Sequence, residues 1–522
     1  MSPRPPKAAW ENGNVDEIIV GGGSAGAVLA SRLSENPGRR VLLVEAGSDP
    51  AADGQDSGLS APAGQPVLAG HNWDYTASIG AAPDRRRLFP YLLGKTVGGS
   101  SAVNAGMALR GFPSDFDGWA AAGNHEWSWR RVLPYYLSIE ADADMADQEH
   151  GRAGPVPIRR PVPSELNAMA TAFLRACREL GLPELADLNG VSDAGVGLVP
   201  LSSAGRRRIS TADTHLAAAR GRPNLTVLAD CRATRILLAG GRAAGVEMIA
   251  GGQLRQVAAG QVTLTAGAVA TPLILQRSGI GDARMLAAAG IEPAADLPGV
   301  GSNLIDHPAV VIWAVPLPGI CTRDAPWHQV MARAGGADHR PELNLYLVNN
   351  VASAGMPVVG GMLGGRLAVS VSAMLLRPLS RGSVRLGGPD PDASPVIALS
   401  LASEQSDVDA LMAGTRLAWS VIRAAPVAGL LERVLLWTDR LVASDAMLRR
   451  AITSFVTPTW HPVGTARMGA ATDNMSVVDQ RCRVHLVDGL RVADASVMPA
   501  IPSSPPNLTC IMLAERVAEW MA

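Results

Sequence analysis

Nine histidines are present, and one stands in a setting suited to proton transfer. His461, in "TWHPVGTARMG", is followed by Pro462. A residue before proline is kept out of the α region, so an extended backbone is expected at His461. Gly464 and Gly469 allow the chain to turn closely against a flat partner. Imidazole titrates near neutrality and can accept a hydroxyl proton. His71, His125, His150, His328 and His339 have no comparable setting and are read as surface or core residues. His307, in "DHP", is read as packing a turn before Pro308.

A second constellation is the Gly21-x-Gly23-x-x-Gly26 turn in "VDEIIVGGGSAGAVLASRLSENPGRRVLLVEAG". The run Ile18–Val20 predicts a strand, the pattern through Leu33 a helix, and Val41–Val44 a second strand ending at Glu45. In such a βαβ unit the glycines allow close backbone approach. The helix N-terminus meets a pyrophosphate, and the acidic residue accepts hydrogen bonds from a ribose. Further on, "TVGGSSAVNAG" offers small residues whose backbone N–H groups suit phosphate oxygens. A plainer reading makes it a glycine-rich turn capped by Asn104.

These groups must be held by a large scaffold. The chain has 522 residues, 47% hydrophobic and 18% charged, which suits a globular protein of two domains. A net charge of −1 gives no sign of nucleic acid or an anionic membrane as partner. No apolar run is long enough to span a bilayer, and the N-terminal stretch has no apolar signal region. Five scattered cysteines without CxxC spacing argue against disulfides and metal sites and fit a cytoplasmic location. Strands are expected on either side of Gly240-Gly241, then a strand and a helix opening near Thr271-Pro272. A long helix is expected from about 404 to 424, then the strand 490–496 and a terminal helix.

Four stretches in order then resemble the glucose–methanol–choline (GMC) family of FAD-dependent oxidoreductases: "GGGSAG…VEAG", "GKTVGGSSAVNAGMALRG", "GAVATPLILQRSGIG" and "WHPVGTARMG…VHLVDGLRVADASVMP". The resemblance implies an α/β fold, a Rossmann-like FAD-binding domain interrupted by an α+β substrate-binding domain with an antiparallel sheet. FAD-binding segments would fall at 1–160 (with substrate-domain excursions near 60–90 and 125–160), 206–315 and 457–522, the last carrying the active site. Substrate-domain segments would fall at 161–205 and 316–456. It places FAD against Gly21, Gly23, Ser24, Ala25, Gly26 and Glu45, and against Val97, Gly99, Ser100, Asn104, Ala105 and Gly106. Ala233 and Ala266 would add backbone contacts, as would Trp460, Asp494, Ala495, Asn507 and Leu508 near the C-terminus. Asp494 could equally cap the next element. Where some relatives carry a histidine bonded to the flavin, this chain has Val103, so non-covalent FAD is expected.

The resemblance assigns the catalytic base to His461 and a second hydrogen-bonding residue, His or Asn, to the position of Pro505. Proline has no side-chain donor or acceptor. Three accounts follow: a register shift that brings in Asn507, a hydrogen bond from Thr459, or an activated substrate needing less help. A proline here resembles the pyridoxine 4-oxidase branch, although that branch has a further histidine where Thr459 stands. The expected reaction is oxidation of a small aromatic or heteroaromatic primary alcohol to the aldehyde, with O2 or another acceptor. A choline-type dehydrogenase, a non-redox hydroxynitrile lyase and a non-enzymatic FAD-binding protein are the competing classes. Nothing in the sequence marks an oligomeric interface.

Overall fold

The computed structural model describes residues 15–53, 59, 62–67, 69–80, 87–190, 193–323, 325–335, 340–352 and 360–522. The readings made on the N-terminal stretch through Asn14 and on His339 lie outside these residues.

Two large sheets organise the chain. In the first, Leu225–Leu228, Val41–Val44, Val15–Val20, the end of Gln253–Leu264 and Leu490–Val492 lie side by side, all parallel. Their continuous apolar runs, buried in Val41–Val44 and at Ile18–Val20, are what a sheet covered on both faces requires. The start of Gln253–Leu264 bends away to pair antiparallel with Arg242–Ala250, which pairs with Cys231–Ala239 across the expected glycine turn. Helix Ser24–Leu33 packs between this sheet and the terminal helix Asn507–Met521.

The second sheet is antiparallel, in the order Leu431–Val434, Pro308–Pro316, Leu367–Leu375, Leu343–Ala352, Val330–Ala334 and Gly195–Leu198. Helix Gln405–Arg423, close to the predicted span, covers one face with Val408, Leu411, Ala418 and Ile422. The strand expected over 490–496 stops at Val492, because Asp494 caps a short 3-10 turn at Ala495–Val497.

One expectation is corrected. The helix predicted to open near Thr271-Pro272 runs from Gly267 to Arg277, with Pro272 inside it. Proline there cannot donate to the carbonyl of Ala268, four residues earlier. The Thr465 hydroxyl donates to that carbonyl instead, at 2.7 Å. Asp494 accepts from the Gly267 N–H and the Thr271 hydroxyl, fixing the first turn. A tertiary partner thus replaces the bond that proline removes.

Candidate active site

The glycine turn, Glu45, Thr265–Ala266 and Asp494 all follow the C-terminal ends of parallel strands, where open α/β sheets bind ligands. Close packing explains the glycines. A Cβ on Gly26 would lie 1.9 Å from the Gly21 carbonyl, and one on Gly21 would lie 2.5 Å from that of Thr265. The second glycine loop abuts the first: Gly98 N–H donates to the Gly22 carbonyl, and a Cβ on Gly99 would lie 2.6 Å from Gly23 Cα. Helix Ser24–Leu33 opens on Gly23 with no side-chain cap. Its first N–H groups are thereby left for a phosphate. Glu45 accepts from Gly22 N–H and Gly47 N–H, and burial raises its carboxyl to about 7. An uncapped helix start, a side-chain-free cradle and a buried acceptor beyond the second strand fit a dinucleotide.

The other predicted cofactor residues gather around this cradle. Val97 and Ser100 belong to the second loop. Asn104 Oδ1 accepts from Gly106 N–H, so its amide does cap a turn, and the Ala105 carbonyl accepts from Gly64. Cys231 N–H donates to the Glu45 carbonyl, bringing Ala233 near the strand end. Ala495 accepts from Gly464 N–H, and Leu508 is buried in the terminal helix. Asp494 is fully engaged in joining Gly267, Thr271 and Ser496, the capping alternative. The Trp460 ring turns outward: its Nε1–H donates to Pro90 and the ring leans on Phe89.

His461 sits where the two sheets' connections cross. Pro308 and Ala309 pair antiparallel with Pro458 and Thr457, and Ile305 exchanges hydrogen bonds with Val463. Between these pairs, the longer strand bulges as Thr459-Trp460-His461-Pro462, with Trp460 at φ +59°. The carboxylate of Asp306 fills the bulge. Its Oδ1 accepts from Thr459 N–H, the Thr459 hydroxyl and His461 N–H, and its Oδ2 from the Tyr91 hydroxyl at 2.6 Å. Burial holds the Asp306 carboxyl up at about 6 despite these donors.

The side chain of His461 meets His307, whose "DHP" setting reads in sequence as a turn. The two Nδ1 atoms are 3.1 Å apart, and the rings meet edge to face. His307 Nε2 lies 3.1 Å from the Pro502 carbonyl, which can only accept, so this nitrogen carries the hydrogen. Burial lowers the His307 pKa to about 4, leaving the ring neutral and its Nδ1 a bare acceptor. The Thr459 hydroxyl, 3.0 Å from His461 Nδ1, has Asp306 and the His307 carbonyl to receive its single hydrogen. With the Thr459 hydrogen given to Asp306 or the His307 carbonyl, His461 Nδ1 faces two acceptors, and we assign it the hydrogen. Its Nε2 keeps the lone pair. Burial first, then His307, push the His461 pKa well below the usual histidine value. Taken as a whole residue, His461 is half-buried.

Two accounts of the Pro505 position change with this geometry. Asn507 lies in the first turn of the terminal helix, behind Pro506, and its Oδ1 accepts from the Ser24 hydroxyl at 2.8 Å. This contact joins Asn507 to the nucleotide cradle, the cofactor-binding place the resemblance implies for it. Thr459 holds the Nδ1 side of His461, away from the free lone pair. Pro505 is buried just ahead of that helix.

Residues 15–309 and 378–514 match the two parts of the GMC oxidoreductase family. The 5-(hydroxymethyl)furfural oxidase of Methylovorus sp. (strain MP688) is 36% identical, covering 97% of this chain and 98% of that protein. An oxygen-dependent choline dehydrogenase of Klebsiella pneumoniae is 34% identical, over 97% and 95%. The solved structure of pyridoxine 4-oxidase from Mesorbium loti superposes with a TM-score of 0.87 at 34% identity, covering 97% of this chain and 99% of that one. No helix among the described residues is long and apolar enough to cross a membrane. With two family matches over most of its length, relatives along nearly all of it and a dinucleotide cradle beside a neutral histidine, the chain belongs to the GMC oxidoreductases, FAD-dependent enzymes that oxidise alcohols.

Proposed function

We propose that this enzyme oxidises an activated aromatic or heteroaromatic primary alcohol to its aldehyde, with O2 as electron acceptor and non-covalently held FAD. The observation that carries the reading is the hydrogen-bond chain from Pro502 through His307 to His461, which leaves His461 Nε2 as an unprotonated base. Bound FAD supplies the hydride acceptor. His461 Nε2 takes the hydroxyl proton, and its Nδ1–H stays directed at His307 and Thr459, so the ring cannot turn over. Pro505 offers the alkoxide no donor. A missing donor to developing negative charge costs roughly 3–4 kcal/mol, so the substrate must itself favour hydride release, as a carbinol carbon next to an aromatic ring does. Val103, buried where some relatives carry a flavin-linked histidine, has no group to bond the cofactor.

The test is anaerobic mixing of the holoenzyme with benzyl alcohol, 5-(hydroxymethyl)furfural, pyridoxine and choline, followed by admission of air. Bleaching of the flavin band by the ring-bearing alcohols, with rapid recovery in air, is expected. Bleaching by choline alone would overturn the substrate class, and slow recovery in air would overturn O2 as acceptor. Turnover of cyanohydrins with no bleaching by any alcohol would mark a lyase.

A further inference from the structure

The sheet face turned away from helix Gln405–Arg423 carries an unusual set of side chains. Strand register puts Ala309, Met374, Asn344 and Arg333 in one row across four neighbouring strands. The row continues past Ala309 to Thr457, four residues before His461. Arg333 is 1% exposed and its guanidinium lies 4.6 Å from the centre of the Phe112 ring. Among the described residues its Nε and Nη1 hydrogens have no partner. The carboxylates that act on it through space are engaged elsewhere: Asp115 by Phe112 and Ser503, Asp187 by Arg160. Burying a cation without an anion is costly, and burial lowers Arg333 only to about 10, so it stays charged at neutral pH.

Asn344, directly opposite Arg333 in the sheet, has an unpaired Oδ1 while its Nδ2 contacts the Tyr346 hydroxyl. Oxygen and nitrogen of an amide are interchangeable by a flip. In the flipped form Oδ1 accepts from Tyr346, and the amide N–H2 joins the Arg333 hydrogens as free donors. Such donors suit a planar anion, for which a guanidinium is the best-matched side chain. The cluster is also tied by packing to the histidine pair. Phe112 follows Gly111, whose Cβ would lie 3.1 Å from Pro502, and the Pro502 carbonyl holds His307. Four strand spacings, about 19 Å, separate Arg333 from Thr457 at the His461 end of the row. The arginine side chain, one substituted ring and the His461 side chain must together span it.

We infer that Arg333, with Asn344, binds a carboxylate carried by the substrate on the end opposite its hydroxymethyl group. The substrate class is then an aromatic alcohol-acid, a narrowing that rests on the reading above.

The test uses the holoenzyme with 4-(hydroxymethyl)benzoate and its neutral analogue 4-methylbenzyl alcohol, and with unreactive 4-methylbenzoate as a binding probe. In Arg333→Met, the kcat/KM ratio of the acid to the neutral alcohol is expected to fall at least tenfold, chiefly through KM, and Arg333→Lys should restore part of it. 4-Methylbenzoate should raise the melting temperature of the native enzyme but not of Arg333→Met. Equal losses on both alcohols, or the same thermal shift in enzyme and variant, would overturn the assignment. Failure of every alcohol to bleach the flavin defeats the proposed reaction alone, because the thermal shift still decides the fate of Arg333.

Discussion

At His461 the chemistry depends on which nitrogen holds the hydrogen, and two neighbours decide it. Replacing the proposed base, His461→Ala, should slow flavin reduction by about 10²–10⁴ while the flavin stays bound, because the ring contacts His307 and Thr459 rather than the glycine loops. Since burial and His307 hold the His461 pKa low, the base is already neutral in mild acid. The reduction rate should stay flat from pH 9 to 6; a fall beginning near 7 would contradict the lowered pKa. His307→Gln keeps an acceptor for His461 and a donor for Pro502, whereas His307→Leu keeps neither. The glutamine variant should retain most of the native rate, and the leucine variant should lose it and show an acid limb moved upward. Equal loss in both would reduce His307 to packing. His461 was legible because its signal is local, a histidine before proline among glycines. The role of His307 was not, because its partner is 154 residues away and "DHP" alone reads as a turn.

Among the elements, the two glycine loops show how tightly the cradle is set. Gly99→Ala places a methyl group 2.6 Å from Gly23 Cα at a φ of +51°, so the loops must part. The variant should fold, because both loops lie at strand and helix ends and the clash interrupts no strand or helix interior. It should be purified with much of its flavin missing, read from the ratio of flavin to protein absorbance; full flavin content would show that the loops can yield. The first strand–turn–helix–strand was legible because apolar runs, glycines and Glu45 are consecutive. The opening of helix Gly267–Arg277 was not. Proline usually marks a helix start, and the compensating hydroxyl of Thr465 comes from the far end of the chain. The outward Trp460 ring agrees with simple alternation, which points neighbours such as Trp460 and His461 to opposite sides, even though the strand bulges there around a left-handed residue.

Across the whole molecule, the site exists only where the parallel and antiparallel sheets are joined, by residues 305–309 running against 457–463. Buried titratable groups in the parallel sheet and at this join tie stability to pH in opposite directions. Glu17 and Glu45, raised by burial to about 7, contribute stability at low pH that is lost as pH rises through 7. His307 works the other way. Unfolded, it takes up a proton near 6.5, and folded, near 4, so between those values the unfolded chain binds more protons. Its contribution is complete above pH 6.5 and declines on acidification toward 4. At pH 5 the linkage amounts to about 2 kcal/mol. In His307→Leu that contribution disappears and the part of the His461 shift due to His307 goes with it, while the carboxylates remain, so comparing variant and native enzyme reads the histidine pair. Whatever stability the variant loses at pH 8 through altered packing, its further loss between pH 8 and pH 5 should be smaller than the native enzyme's by about this amount. Denaturant melts at the two pH values measure the difference, and parallel declines would mean that His307 is protonated in the folded enzyme at pH 5. That outcome would also remove the acceptor that fixes His461, so the stability measurement tests the catalytic tautomer without recourse to a substrate.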